Sequence, residues 1–292
     1  MTKSRLARRS GAIAALVSAA TLMVVATLAA HDFWLVPSAM TFAPGEELHI
    51  LGQSGTRFPR SSGATQPAQV VEARLISASR NDRLTDLTVS GRSLLIRQKP
   101  AVAGQHVVAV SLTPRNARTT PERLRRYLAL EGAPELAARY EGEASLARMD
   151  SVMQTTAKFA KTIVEVGSRG RRAFDKTAGH ALELVPLRDP AALRAGDSLG
   201  VRLLYRGKPV SGVHLRAGWG SPTAVNDSTA PQGQPAESDQ TIVTDDKGVA
   251  RLRITDAGLW NVRVLYATSM AGMAEHWEVF FATLVFAVND AQ

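Results

Sequence analysis

The chain has 292 residues, 45% of them hydrophobic and 21% charged, with a formal net charge of +9. That is globular composition with enough length for one or two cores, and no stripe of interleaved aromatic and basic residues marks a nucleic-acid surface. Cysteine is absent, which excludes disulfides, a thiolate metal site, a cysteine nucleophile and a lipid-anchored cysteine.

The first thirty residues read as a leader. "MTKSRLARRS" carries Lys3, Arg5, Arg8 and Arg9 without an acid, and "GAIAALVSAATLMVVATLAA" is apolar and ends in small residues. These are the three parts of a secretory signal. The expectation is export to the periplasm, with no stable membrane span once the leader is removed. An uncleaved anchor is the alternative, because the apolar run approaches the ~20 residues that span a bilayer. Cleavage after Ala30 makes His31 the first mature residue, and its amine and imidazole then chelate one metal ion. Cleavage after Ala29 leaves Ala30 in front and removes the amine from that pair.

From His31 the pattern is short strands punctuated by turns. "HDFWLVPSAMTFAPGEELHILGQSG" predicts strand, turn at Pro44-Gly45, strand; "AQVVEARLISA", "LTDLTVSG", "RSLLIRQ" and "QHVVAVSLTP" continue it. Thr120-Pro121-Glu122 opens a helical stretch, with Leu124, Leu128, Leu136 and Tyr140 at helical spacing. "KFAKTIVEVG" and "HALELVPLRDP" return to strand character, and "RDPAALRAGD" reads as a linker. Beyond it come a hairpin at Arg206-Gly207-Lys208-Pro209, a polar Pro/Ser loop over 220–239 expected to be mobile, a turn at Asp245-Asp246-Lys247-Gly248, and a largely buried closing strand, "HWEVFFATLVFAV".

The expected fold is mainly β: two β-sandwich domains of immunoglobulin-like or transthyretin-like kind, with a small helical insertion in the first. The expected division is a leader over 1–30, an N-terminal sandwich over 31–190 with helices at about 120–150, and a C-terminal sandwich over 191–292.

Two resemblances follow. "GKPVSGVHLRA", "TDDKGVARLRI" and "GLWNVRVLY" resemble the transthyretin-like, carboxypeptidase-regulatory β-sandwich, which implies a fold and little about activity. The whole mature chain is similar to a bacterial periplasmic family of unknown function whose members begin "AHEFWLEP" and end near "DWESYWASLTF". The matching stretches here are "AHDFWLVP", "RRYLALEG", "FAKTIVEVG", "HALELVPLRDP" and "HWEVFFATLVF". The family's association with nickel and cobalt uptake transporters implies a metal-uptake transporter or another envelope protein as partner. The chain departs from the family at Val36, where an acid is usual, at His276 for aspartate, at Phe281 for tryptophan, and at Tyr266 for a histidine.

Phosphate-binding loops, nucleophile elbows and zinc-binding helix motifs are missing. The six histidines, His31, His49, His106, His180, His214 and His276, form no close ligand pair. Strands far apart in sequence can still bring ligands together. His31 is the leading metal candidate, and His276, between Glu275 and Glu278, is the second. His49 and His106, in apolar alternation, are expected to be half-buried strand residues. Phe33, Trp34, Trp260 and Trp277 are expected to pack, and Lys161 with Glu183 to form a structural salt bridge.

The sequence thus points to a non-catalytic exported binding or accessory protein for a transition-metal ion (nickel, cobalt or copper) connected with uptake. A metal-free envelope module for a protein or glycan is the first alternative. A copper histidine-brace oxidative enzyme, which requires two further imidazoles near His31, is the second.

Overall fold

A computed structural model describes residues 31–141, 149–167, 170–220 and 240–289. The expected leader and the Pro/Ser loop lie outside the described residues. The N-terminal half contains β1 (Asp32–Pro37), β2 (Thr41–Phe42), β3 (Leu48–Gly55), β4 (Val70–Ile76), β5 (Asn81–Arg83), β6 (Asp86–Ser90), β7 (Ser93–Gln98), β8 (Gly104–Leu112) and β9 (Arg115–Thr119). Two helices, α1 (Pro121–Leu130) and α2 (Pro134–Glu141), precede the long β10 (Val152–Val166). Then come β11 (Leu182–Pro186), β12 (Ser198–Tyr205), β13 (Lys208–Pro209), β14 (His214–Gly220), β15 (Gln240–Val243), β16 (Val249–Arg253), β17 (Gly258–Met270) and β18 (Met273–Val288).

The protein is mainly β, as its strand-and-turn pattern predicts, and its sheets stack as sandwiches. A first sheet runs β1-β3-β7-β6, and a third consists of β11, β12, β13 and β16. Between them a ten-stranded sheet runs β15-β14-β17-β18-β10-β8-β4-β5, with β2 and β9 also paired to β10. Strands from both halves of the chain meet in it: β10 and β18 pair in parallel from Met153–His276 to Thr162–Val285. β11 and β12 likewise pair across the expected boundary near residue 190.

Side-chain alternation distributes the core between the layers. Leu48, Ile50, Leu94 and Ile96 of the first sheet pack on Leu75, Val108, Val110 and Val164 of the central one. On the opposite side, Leu199, Val201 and Leu203 of β12 meet Phe280, Ala282, Leu284 and Phe286 of β18. The odd-numbered residues Trp277, Val279 and Phe281 of β18 are covered by Leu124, Leu128, Leu136 and Tyr140 of the two helices. The expected helix start is present: the Thr120 side chain accepts from the Arg123 amide, and Pro121 occupies the first turn. The expected linker contains a short 3-10 turn, Pro190–Ala192, and places Leu193 in the core.

β1 is buried along its whole length. Phe33 and Leu35 enter the core of the first sandwich, while Trp34 and Val36 pack on Leu259 and Val285 of β17 and β18. Polar contacts fix the strand as well. Thr283 donates its hydroxyl to the Phe33 carbonyl at 2.7 Å, and Arg263 Nη1 donates to Asp32 Oδ2 at 2.9 Å. Lys161, expected to pair with Glu183, does so at 2.8 Å with both side chains buried. Its ammonium also donates to the Lys176 and Leu184 carbonyls, while Glu183 accepts from the Ala178 and Gly179 amides.

Two stability outcomes follow. Trp34→Ala should cost about 3–5 kcal/mol in urea unfolding, and Trp34→Phe clearly less, because the first empties a site that two sheets share. Glu183→Leu should cost about 3–5 kcal/mol and Lys161→Met less, since losing the carboxylate strands a buried ammonium and two backbone N–H groups. Equal losses for the latter pair would contradict that accounting.

Candidate functional site

A cavity of about 410 Å³ opens where β1 begins. His31 lines it, with Ser54 at the end of β3, Leu112 ending β8 and Thr113 after it, Arg115 on β9, and Thr156 and Lys158 on β10. The remaining wall is the β3–β4 connection, from Ser62 to Thr65, with Ala68 and Gln69. The Ser-rich sequence folds this segment back on the strand it leaves. Ser61 and Ser62 donate their hydroxyls to the Ser54 carbonyl at 3.2 and 3.0 Å, and the Ser54 and Thr65 hydroxyls lie 3.1 Å apart. Gly55 permits this approach, because a Cβ there would lie 2.3 Å from the Arg60 carbonyl oxygen. The Thr113 amide donates to the Gln69 carbonyl at 2.7 Å and closes the wall.

The lining is basic and hydroxyl-rich and includes no carboxylate. Half-buried His31 titrates below the ordinary imidazole range, first because burial disfavours its cation and second because Lys158 is near. It is therefore neutral at pH 7. Its carbonyl accepts from the Lys158 ammonium, which also lies 5.7 Å from the centre of the Phe281 ring. Burial is the main cause lowering the Lys158 pKa; Asp32 opposes the shift and Arg115 adds to it. Asp32, the acid adjacent to His31, is tied to Arg263 instead.

His276 does not join this site. Its Nε2 lies 2.7 Å from the Thr155 hydroxyl. Because β10 and β18 run in register, Thr155 and His276 share one face of the central sheet, and Thr156 and Lys158 the other. Glu278, the acid expected beside His276, is engaged by Arg206 at 2.9 Å. Among the described residues no three His, Asp or Glu side chains come together to hold a metal ion. The two candidate histidines are thus brought to opposite faces.

His49 corrects its expectation: it is exposed on β3, 2.9 Å from Glu47, because Leu48 and Ile50 claim the inward face. His106 is buried, with Nδ1 3.0 Å from the Gly104 carbonyl oxygen. His180 is buried against the Phe159 ring, and His214 Nδ1 lies 2.6 Å from a Glu135 carboxylate oxygen. Phe33, Trp34, Trp260 and Trp277 are core residues, as expected, whereas Trp219 remains partly exposed. No helix among the described residues is long and apolar enough to cross a membrane.

Lys158, Arg115 and the hydroxyl wall were not among the residues singled out from sequence. A partial signal was present in "GQSGTRFPRSSGAT", a Gly/Ser/Thr-rich connection too long for a tight hairpin. Thr156 and Lys158 also share a parity in β10 that Lys161 does not.

A family model described as "Domain of unknown function (DUF4198)" matches residues 28–268. No curated protein matches the chain. Among solved structures the chain is similar to the D0-D1 domain of intimin, at 15% identity over 87% of this chain and 97% of that one, with a TM-score of 0.20. It is similar to murine CEACAM1b at 10% identity, over 89% and 100% of the two chains, with a TM-score of 0.20. For trypsin-activated alpha-2-macroglobulin from Escherichia coli the identity is 12%, over 88% of this chain and 15% of that one, with a TM-score of 0.21. Similarity at this level carries nothing about function.

One pH effect can be tested directly. Burial holds His180 at about 4, while an unfolded histidine titrates near ~6.5. The unfolded chain therefore binds the proton first. Stability is undiminished above about pH 6.5 and falls by roughly 3 kcal/mol as the pH drops towards 4. Urea unfolding at pH 7 and pH 4.5 should show the loss, and His180→Phe, which keeps a ring against Phe159, should flatten that part of the profile.

Proposed function

Because this chain belongs to the DUF4198 family, a domain family of unknown function, its role must come from its own chemistry, and we propose that it is an exported, non-catalytic binding or accessory protein whose ligand site is the cavity at His31. The cargo we assign is a transition-metal ion (nickel, cobalt or copper), held for an uptake transporter of the envelope. The observation that carries this reading is the placement of His31. A neutral imidazole, whose ring makes no hydrogen bond among the described residues, lines a 410 Å³ cavity directly after the alanines that end the leader-like segment. Neutral imidazole is a common transition-metal ligand.

A leader cut after Ala30 adds the α-amine of the same residue, which gives a two-point grip. No second imidazole and no carboxylate lines the cavity, so the protein supplies too few ligands for a resident ion, and the metal is better read as cargo. A copper brace has no support in this geometry, since its two further imidazoles are not in the cavity wall.

Native intact mass of the exported protein, with and without added nickel, cobalt or copper, tests the reading. The expected product begins at His31 and retains one ion. His31→Ala should weaken retention by about tenfold or more, with unfolding otherwise unchanged. Equal retention by the variant would overturn the assignment.

A further inference from the structure

The charge of the cavity is opposite to what a bare metal ion requires. Arg115 has no acidic partner among the described residues, Lys158 donates to a backbone carbonyl instead of a carboxylate, and neutral His31 adds none of the missing negative charge. A divalent cation entering alone meets two like charges in a partly desolvated site. An anion meets two charges that no carboxylate of the lining neutralises.

The rest of the wall also suits an anion. Thr113 and Thr156 offer hydroxyls, and Gln69, whose Oε1 accepts from the Gln66 amide at 2.8 Å, keeps its amide NH₂ to donate. Charge and hydroxyl donors at several points around 410 Å³ suit a molecule with several acceptors. A single inorganic anion would leave most of that space and most of those donors unused. The volume lies at the lower end of the range for small-molecule sites.

We infer that the cavity binds a small di- or tricarboxylic acid through Arg115, Lys158 and its hydroxyl wall, and that metal cargo arrives as a chelate of that acid. This rests on the proposed binding role of the His31 cavity and supplies what that role lacks. Carboxylates neutralise the basic lining and bring the missing ligands, while His31 takes a position on the metal that the acid leaves open. The free acid and its metal chelate share the carboxylate chemistry that the wall recognises.

Calorimetry on the exported protein separates the possibilities, with citrate, nickel chloride, nickel with equimolar citrate, and sulfate as probes. Citrate and nickel citrate should each bind one to one, with affinity falling as salt is raised. Arg115→Gln, at an exposed position, should weaken both by about tenfold or more without lowering the unfolding midpoint. His31→Ala should weaken nickel citrate and leave citrate unchanged. Nickel citrate that binds no more tightly than citrate and is not weakened by His31→Ala, while both probes respond to Arg115→Gln, upholds the acid site and overturns the metal cargo. Nickel alone binding equally to wild type and Arg115→Gln, with citrate stripping it away, overturns the acid site and keeps the metal reading. Sulfate binding as tightly as citrate overturns the inference, and no binding of any probe overturns both.

Discussion

The position of β1 is the constraint on which the rest depends. Six consecutive residues, Asp32 to Pro37, are buried on both faces and hydrogen-bonded to β3 along one edge. Phe33 and Leu35 join the first sheet to the central one, while Trp34 and Val36 join it to the β17–β18 hairpin. A strand buried on both faces and paired along one edge has little freedom to slide, because a one-residue slip exchanges the two sets of side chains. The cavity inherits that rigidity. Its position is set by where β1 begins and by Lys158, which reaches the His31 carbonyl from the neighbouring β10.

Much of the architecture was legible because it is local. Leu199, Val201 and Leu203 alternate as a half-buried strand must, Thr120-Pro121 announces a helix, and Gly45 turns the chain with a φ of +82° where Pro44-Gly45 was expected to. The unbroken apolar run of β1 also matches a strand covered on both sides. The partners of the strands were not legible. Met153 and His276 are neighbours in a parallel ladder, yet over a hundred residues separate them, and no periodicity records which strand lies beside which. The same gap hid the sharing of one sheet by both halves of the chain.

The site follows the same division. His31 stood out because a histidine after small residues has a chemical consequence that can be read directly. Its companions depend on register. Pairing β10 with β18 puts His276 with Thr155 on one face and leaves Thr156 and Lys158 on the other, so two histidines that looked equivalent in sequence have separate surroundings. His49 shows the limit of alternation, which locates a face without saying whether that face is covered. The charge of the cavity was hidden more deeply, since it emerges only when Arg115 and Lys158 meet while the nearest acid turns towards Arg263.

The closing strand has a consequence for how the molecule forms. Until Met273–Val288 is made, β10 exposes a long edge with unsatisfied N–H and C=O groups, and the inner faces of two cores lack their partners. Contacts of such separation are slow to form and reward the chain only late. The N-terminal half is therefore poorly suited to fold while the remainder is still being synthesised. A chain kept extended until its last strand is available avoids that open edge.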